Sequence, residues 1–207
     1  DSSTSRGLGD VYKRQVLAYC ARYFREHEAK DAVFGGQLLA FAGAMFGLVT
    51  TDDLMVLYTF WEVTSVLSFL LIGYSGHRIF ARRSAITALI VTTVGGLAML
   101  AGLIMLAHMA GSWRISGVLA AAPGLLADAG LRGLLEVAVG LVLIGALTKS
   151  AQAPFHFWLP GAMAAPTPVS AYLHAAAMVK AGVFLVARLA PEFHGLAMWQ
   201  VLVIGVG

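Results

Sequence analysis

This chain has few charges and almost no thiol. Of its 207 residues 12% are charged, and Cys20 is the single cysteine. A soluble domain is about 25% charged, so a water-facing surface of ordinary extent cannot be built from this sequence. One thiol excludes an intrachain disulfide and any Cys-based metal site. No P-loop, GxGxxG, HExxH or CxxC motif occurs, and the six histidines are dispersed. The expectation is therefore no cofactor and no metal. The net charge of +3 points to no nucleic-acid partner, because Lys and Arg in such a chain mostly report orientation.

What is present is apolar. Hydrophobic residues make up 59% of the chain, and the mean hydropathy is +0.80. The building unit is a spanning helix of about 20 residues, and the fold class is an all-α polytopic membrane protein in a lipid bilayer. Residues Asp1–Gln15 are polar and unlike the rest. Their end, DVYKRQ, resembles the translation of a transposase adapter used in sequencing libraries. Residues 1–15 are thus expected to be a non-native adapter-derived tail, with residues 16–207 the transmembrane domain. Both ends read as cut.

Apolar runs divide the domain. Residues 16–21 read as the tail of a helix, and Arg22–Asp31 as a charged loop. Spans follow at Ala32–Val49, Leu54–Tyr74, Ser84–Met109, Gly133–Ser150 and Val169–Leu189, with another beginning at Leu196. That gives five full and two partial spans. Between them lie the acidic Thr50–Asp53 turn, the basic Ser75–Arg83 loop and a Gly111–Arg132 connection. This connection carries a short interfacial helix near Val118–Leu126, interrupted by Pro123. Arg78, Arg82 and Arg83 place their loop in the cytoplasm. The Pro160–Pro168 link falls on that side, and the Thr50–Asp53 turn on the other.

Ionisable groups inside the spans carry the chemistry. A charge at membrane depth costs roughly 2.5–3.5 kcal/mol on insertion scales. Glu62 lies about 12 Å into its span at 1.5 Å per residue, and Thr59, Ser65 and Ser68 extend its face at helical spacing. Lys149 sits where Pro154 should break the helix, with Gly145 and Gln152 assigned to its face. Broken helices at mid-membrane expose carbonyls and helix ends to a cavity. Thr167, Ser170 and His174 form a polar stripe, and the histidine can titrate near neutral pH. Lys180 follows on another face, among Ala176, Ala177 and Gly182. Burial favours a neutral lysine and a nearby carboxylate favours a charged one, so moving the carboxylate would toggle the lysine. A structural acid, snorkelling lysines and a packing histidine are the alternatives. His108, Arg114, Arg132, Glu136, Arg188 and His194 read as interfacial.

At these residues the chain resembles a known family. LTKSAQAPFHFWLPGAMAAPTPVSAYLHAAAMVKAG and WEVTSVLSFLLIGY look like the proton-conducting module shared by Mrp-type sodium/proton antiporters and the membrane arm of respiratory complex I. Lys180 makes the chain look most like the large A subunit of the Mrp branch. The resemblance implies an antiporter-like helix bundle with a discontinuous helix. It also implies an inverted repeat of five helices, of which this chain would hold the first copy and the start of the second. Glu62, Lys149, His174 and Lys180 take the proton- and ion-translocating positions. Gly161 departs from the Asp or Asn frequent at its position. The implied protein is a multi-pass secondary transporter subunit of the inner (plasma) membrane. It would have no catalytic site of its own, would work with other subunits of an antiporter complex, and would exchange Na+ for H+. The alternatives are a proton-pumping subunit of NADH-quinone oxidoreductase or of a membrane-bound hydrogenase, and a structural scaffold.

Overall fold

A computed structural model describes residues 28–75, 79–163, 165, 170–171 and 177–205. The 1–15 tail, the 16–21 helix tail, Thr167 and His174 lie outside the described residues. So do parts of the Arg22–Asp31 loop, the Pro160–Pro168 link and the last long span. Among the described residues there is no strand. Helix α1 spans Glu28–Thr50, α2 Leu54–Ile72, α3 Ile79–Ala110, α4 Ile115–Ala127 and α5 Arg132–Lys149. A 3-10 turn at Phe155–Phe157 leads into the short α6, Trp158–Ala162. Helix α7 spans Met178–Phe193, and α8, Ala197–Trp199, runs on into a π turn.

Among the described residues, three helices are long and apolar enough to cross a membrane: Ala32–Thr50, Leu54–Ile72 and Ile79–Ala110. Helix α5 is 18 residues long but includes Arg132, Glu136 and Lys149. The outward faces of α2 and α3 are apolar, with Val56, Val66, Leu70, Ile90, Val94 and Leu97 exposed. Apolar surface this extensive belongs against lipid or other helices.

Several boundaries differ from the sequence expectation. Helix α1 begins at Glu28 rather than Ala32, and α3 begins at Ile79 rather than Ser84. Arg82 and Arg83 therefore sit on the first turns of a helix and not in a loop. Arginine is a good helix former, and a 32-residue helix is about 48 Å long, well beyond a hydrocarbon core of ~30 Å. Helix α4 is continuous through Pro123. Its buried Ile115, Val118, Ala122 and Leu125 recur at helical spacing, and that packing outweighs the lost backbone bond.

The helices run up and down, so that α3 and α5 are antiparallel. Their axes approach closely through glycine. A Cβ at Gly102 would stand 2.5 Å from the Ala138 carbonyl, and one at Gly145 2.5 Å from Met99 Cβ. Such small-residue contacts are how membrane helices gain packing. Two apolar clusters result. One joins Leu57, Trp61, Met99, Leu103, Ala146 and Ala181. The other joins Phe41, Leu71, Ile72, Ala88, Trp158 and Met178. Between them, on α2, α3 and α5, lies a buried polar layer of Thr64, Ser65, Ser68, Thr92, Thr148, Lys149 and Ser150.

At one end of the bundle the polar groups are tied by long-range bonds. Asp53 caps α2, accepting from the amides of Met55 at 2.8 Å and Val56 at 3.0 Å. Asp52 accepts from the Ser116 amide at 3.0 Å and the Ser116 hydroxyl at 2.5 Å. Arg188 on α7 pairs with Asp52 at 3.2 Å and donates to the Thr51 carbonyl at 2.7 Å. Arg188 thus fastens α7 to the α1–α2 turn, a role the sequence did not suggest. The Ser116 hydroxyl is the main reason the Asp52 carboxyl is held below its ordinary value of 3.8, and Arg188 and Arg114 add to it. A depressed carboxyl stabilises above its unfolded value and loses that contribution only as pH falls through the lower folded one. The clasp is therefore fully charged at neutral pH. The α3 N-terminus and α6 meet at the opposite end, where Gly161 packs on Ser84.

Candidate functional site

The polar layer is built around the end of α5. The helix stops at Lys149, and the chain turns at Ala151, whose φ of 51° lies in the left-handed region that alanine rarely adopts. Pro154 then prevents the helix from resuming in line. The carbonyls freed by this stop find local donors. Leu147 O accepts from the Gln152 amide at 3.0 Å, and Thr148 O from the Ala151 amide at 3.2 Å. The Trp158 indole also donates to Thr148 O at 3.0 Å. Ser150 Oγ donates to Val179 O at 3.0 Å, which ties the break to the start of α7.

Lys149 is 0% exposed. Its ammonium donates to the Trp61 carbonyl, to Thr64 Oγ1 at 2.7 Å and to Ser65 Oγ at 3.1 Å. It also lies 4.6 Å from the centroid of the Trp61 ring. The Thr64 hydroxyl donates to Trp61 O at 2.7 Å and that of Ser65 at 3.3 Å. With their protons committed to the carbonyl, both hydroxyls turn lone pairs toward the lysine. One turn of α2 therefore presents three oxygens to a cation.

Glu62 neighbours this cradle but does not join it. Its carboxylate lies against Gly96 of α3, and Oε1 is buried with no hydrogen-bond partner among the described residues. The one ion pair among the described residues is Arg188–Asp52. Trp61 Nε1 and Ser68 Oγ are likewise buried without partners. A buried carboxylate oxygen left unmatched is costly, and such groups concentrate where function needs them.

Some expected members of the site lie elsewhere. Thr59 is exposed and bonds Met55 O at 2.8 Å, because a three-residue step leaves it rotated off the buried face. Gln152 falls beyond the break, so the helical register with Lys149 is lost, and Gly145 packs on α3 instead. Lys180 is exposed on α7. Ser170 bonds Ala165 O at 3.2 Å. Sequence reading missed Thr64 and the Trp61 carbonyl, and it did not pair Gly96 with Glu62. The adjacent Thr64–Ser65 pair was the available signal, since such hydroxyls reach back to carbonyls three and four residues earlier.

The family model described as "NADH:quinone oxidoreductase/Mrp antiporter, TM" matches residues 51–207. The chain belongs to this family. Within it, the chain is 51% identical over 184 residues to a probable K(+)/H(+) antiporter subunit of Rhizobium meliloti, covering 89% of this chain and 18% of that one. It is 47% identical over 201 residues to a Na(+)/H(+) antiporter subunit of Alkalihalophilus pseudofirmus, covering 97% and 24%. The fold matches a chain of the Mrp complex from a Dietzia species with a TM-score of 0.76 and 41% identity, over 83% of this chain and 18% of that one. The chain thus spans about a quarter or less of the length of these relatives.

Proposed function

We propose that this chain is part of an ion-translocating subunit of a multi-subunit cation/proton antiporter of the Mrp type, exchanging cytoplasmic Na+ for external H+ across the inner (plasma) membrane. The observation that carries this reading is a lysine wholly buried at a broken helix, beside a half-buried carboxylate that it does not bond. Glu62 and Lys149 form a switchable pair. When the carboxylate turns from Gly96 toward the ammonium, the charged pair is favoured; when it turns back, the lysine is left to neutral oxygens and can release its proton. His174 and Lys180 pass protons onward in the membrane plane. Identities of 47% and 51% to proteins named antiporter subunits favour this over a pump driven by electron transfer. Neither Glu62→Ala nor Lys149→Ala should restore sodium resistance to antiporter-deficient cells when carried in the full-length subunit. Full resistance from both variants at normal expression would sink the assignment.

A further inference from the structure

The Lys149 cradle matches the three N–H donors of an ammonium with three oxygens, and the same set of oxygens suits another desolvated monovalent cation. Three oxygens of one α2 turn converge on the ammonium: the Trp61 carbonyl, Thr64 Oγ1 at 2.7 Å and Ser65 Oγ at 3.1 Å. The face of the Trp61 ring closes the shell at 4.6 Å. Both hydroxyl protons point at the carbonyl, so the two hydroxyls offer lone pairs to the cation. Carbonyl and hydroxyl oxygens that replace a hydration shell are what alkali-metal ions bind in membranes, and the ring adds cation–π attraction. The unpaired Glu62 Oε1, on the residue next to Trp61, is an independent sign. The polar layer holds a carboxylate oxygen whose protein partner is missing among the described residues.

We propose that this cradle is itself a binding site for an alkali-metal cation, Na+ or K+, and that the cation and the Lys149 ammonium exclude one another from it. The proposal rests on the antiport reading above. One N–H bond of the ammonium breaks and its electron pair stays on Nζ. The proton leaves by way of Glu62, the neutral amine withdraws, and one cation enters. The charge of the pocket is the same before and after, which matters where an uncompensated charge is expensive. Exchange at this site is one for one, because one set of oxygens serves either occupant.

The competition makes cation binding depend on pH, and among the described residues few other groups bear on it. On α2 the titratable neighbours are Glu62 and Tyr58, which feels the Glu62 charge. Helix α3 carries no ionisable side chain between Ser84 and Ala107. His156 of the 3-10 turn and Lys180 of α7 are exposed, and Arg188 is held by Asp52. Glu136 lies at the far end of α5.

The test is equilibrium binding of radioactive Na+ to the purified, assembled complex carrying the full-length subunit, across a range of pH. In the wild type, apparent affinity should fall as pH falls. Lys149→Gln removes the competitor, so it should bind one Na+ per complex at least about tenfold tighter and lose that pH dependence. Thr64→Val and Ser65→Ala each remove an oxygen and should weaken the same site by about tenfold or more, while Thr64→Ser restores it. Size-exclusion profiles check assembly; where Thr64→Val fails to assemble, Ser65→Ala and Lys149→Gln decide. Lys149→Gln with wild-type affinity and pH dependence overturns the proposal. So does unchanged Na+ affinity in the hydroxyl variants, even if exchange slows, since they would then only position the lysine. Failure of the antiport reading shows separately, as wild-type complex in proteoliposomes that moves no alkali cation against a proton gradient.

Discussion

The buried layer turns on where two side chains end. Gly96 is the clearest probe, because its missing side chain is the space the Glu62 carboxylate occupies. A methyl group there meets the far end of a flexible side chain and no backbone. Gly96→Ala should therefore leave the complex assembled while displacing the carboxylate, and cation/proton exchange in everted vesicles should drop at least about tenfold, the scale of one lost charge-assisted contact. Gly102→Ala is the contrast. Its Cβ would stand 2.5 Å from the Ala138 carbonyl and 2.9 Å from the Val142 amide, so it should reduce the amount of assembled complex itself. Wild-type exchange by Gly96→Ala would refute this account of the Glu62 position. Much of the residue scale was legible beforehand. Glu62 and Lys149 stand out because a charge in an apolar run is expensive and so rarely incidental. Their surroundings were not legible. Lys149 reaches Thr64 and Ser65 across 85 and 84 positions of chain, and no local pattern reports which oxygens a distant helix will supply.

The break after Lys149 decides the elements. Pro154 announced it, and the structure adds how the open helix end is closed. Thr148 O takes two donors, the Ala151 amide at 3.2 Å and the Trp158 indole at 3.0 Å. The indole thus links α6 to the end of α5 across the proline. Trp158→Phe deletes that donor and, with six ring atoms in place of nine, also leaves a small cavity at a buried site. Because the carbonyl retains a partner, the lost bond itself should cost about 0.5–1 kcal/mol, with the cavity adding to it. A thermal midpoint for dissociation of the complex, read by size exclusion, checks it. An unchanged midpoint would mean that the indole bond does not hold α6. Other element boundaries were less legible for a physical reason. Hydropathy marks where a helix enters the hydrocarbon, not where it ends, so α3 ran unseen through Arg82 and Arg83. The Arg188–Asp52 clasp joins residues 136 apart in sequence, and each read alone as an interfacial charge.

At the scale of the whole molecule the two ends of the bundle differ in kind. One end carries the Asp52–Ser116–Arg188 network; the other brings the basic start of α3 beside α6. Of the Ser75–Arg83 region and the link after Pro160, which the sequence places on one side, the described residues give the approach of Gly161 to Ser84 at the start of α3. Which side faces the cytoplasm rests on Arg82 and Arg83, both exposed, through the preference of Lys and Arg for that face. The chain suits a direct check, since Cys20 is its one thiol. In a cysteine-free background of the full-length subunit, Arg83→Cys should react with a membrane-impermeant maleimide in everted vesicles and not in right-side-out ones. Asp128→Cys, exposed just beyond α4, should show the reverse; it avoids Ser116, whose hydroxyl the clasp uses. Labelling of both positions from one face would rule out α3 as a complete crossing. Reversal of both patterns would keep the fold but invert the direction in which the Glu62–Lys149 layer is fed. The polar layer sits between the two apolar clusters, and the buried, unpartnered Ser68 Oγ on α2 lies at its edge toward the Arg83 end.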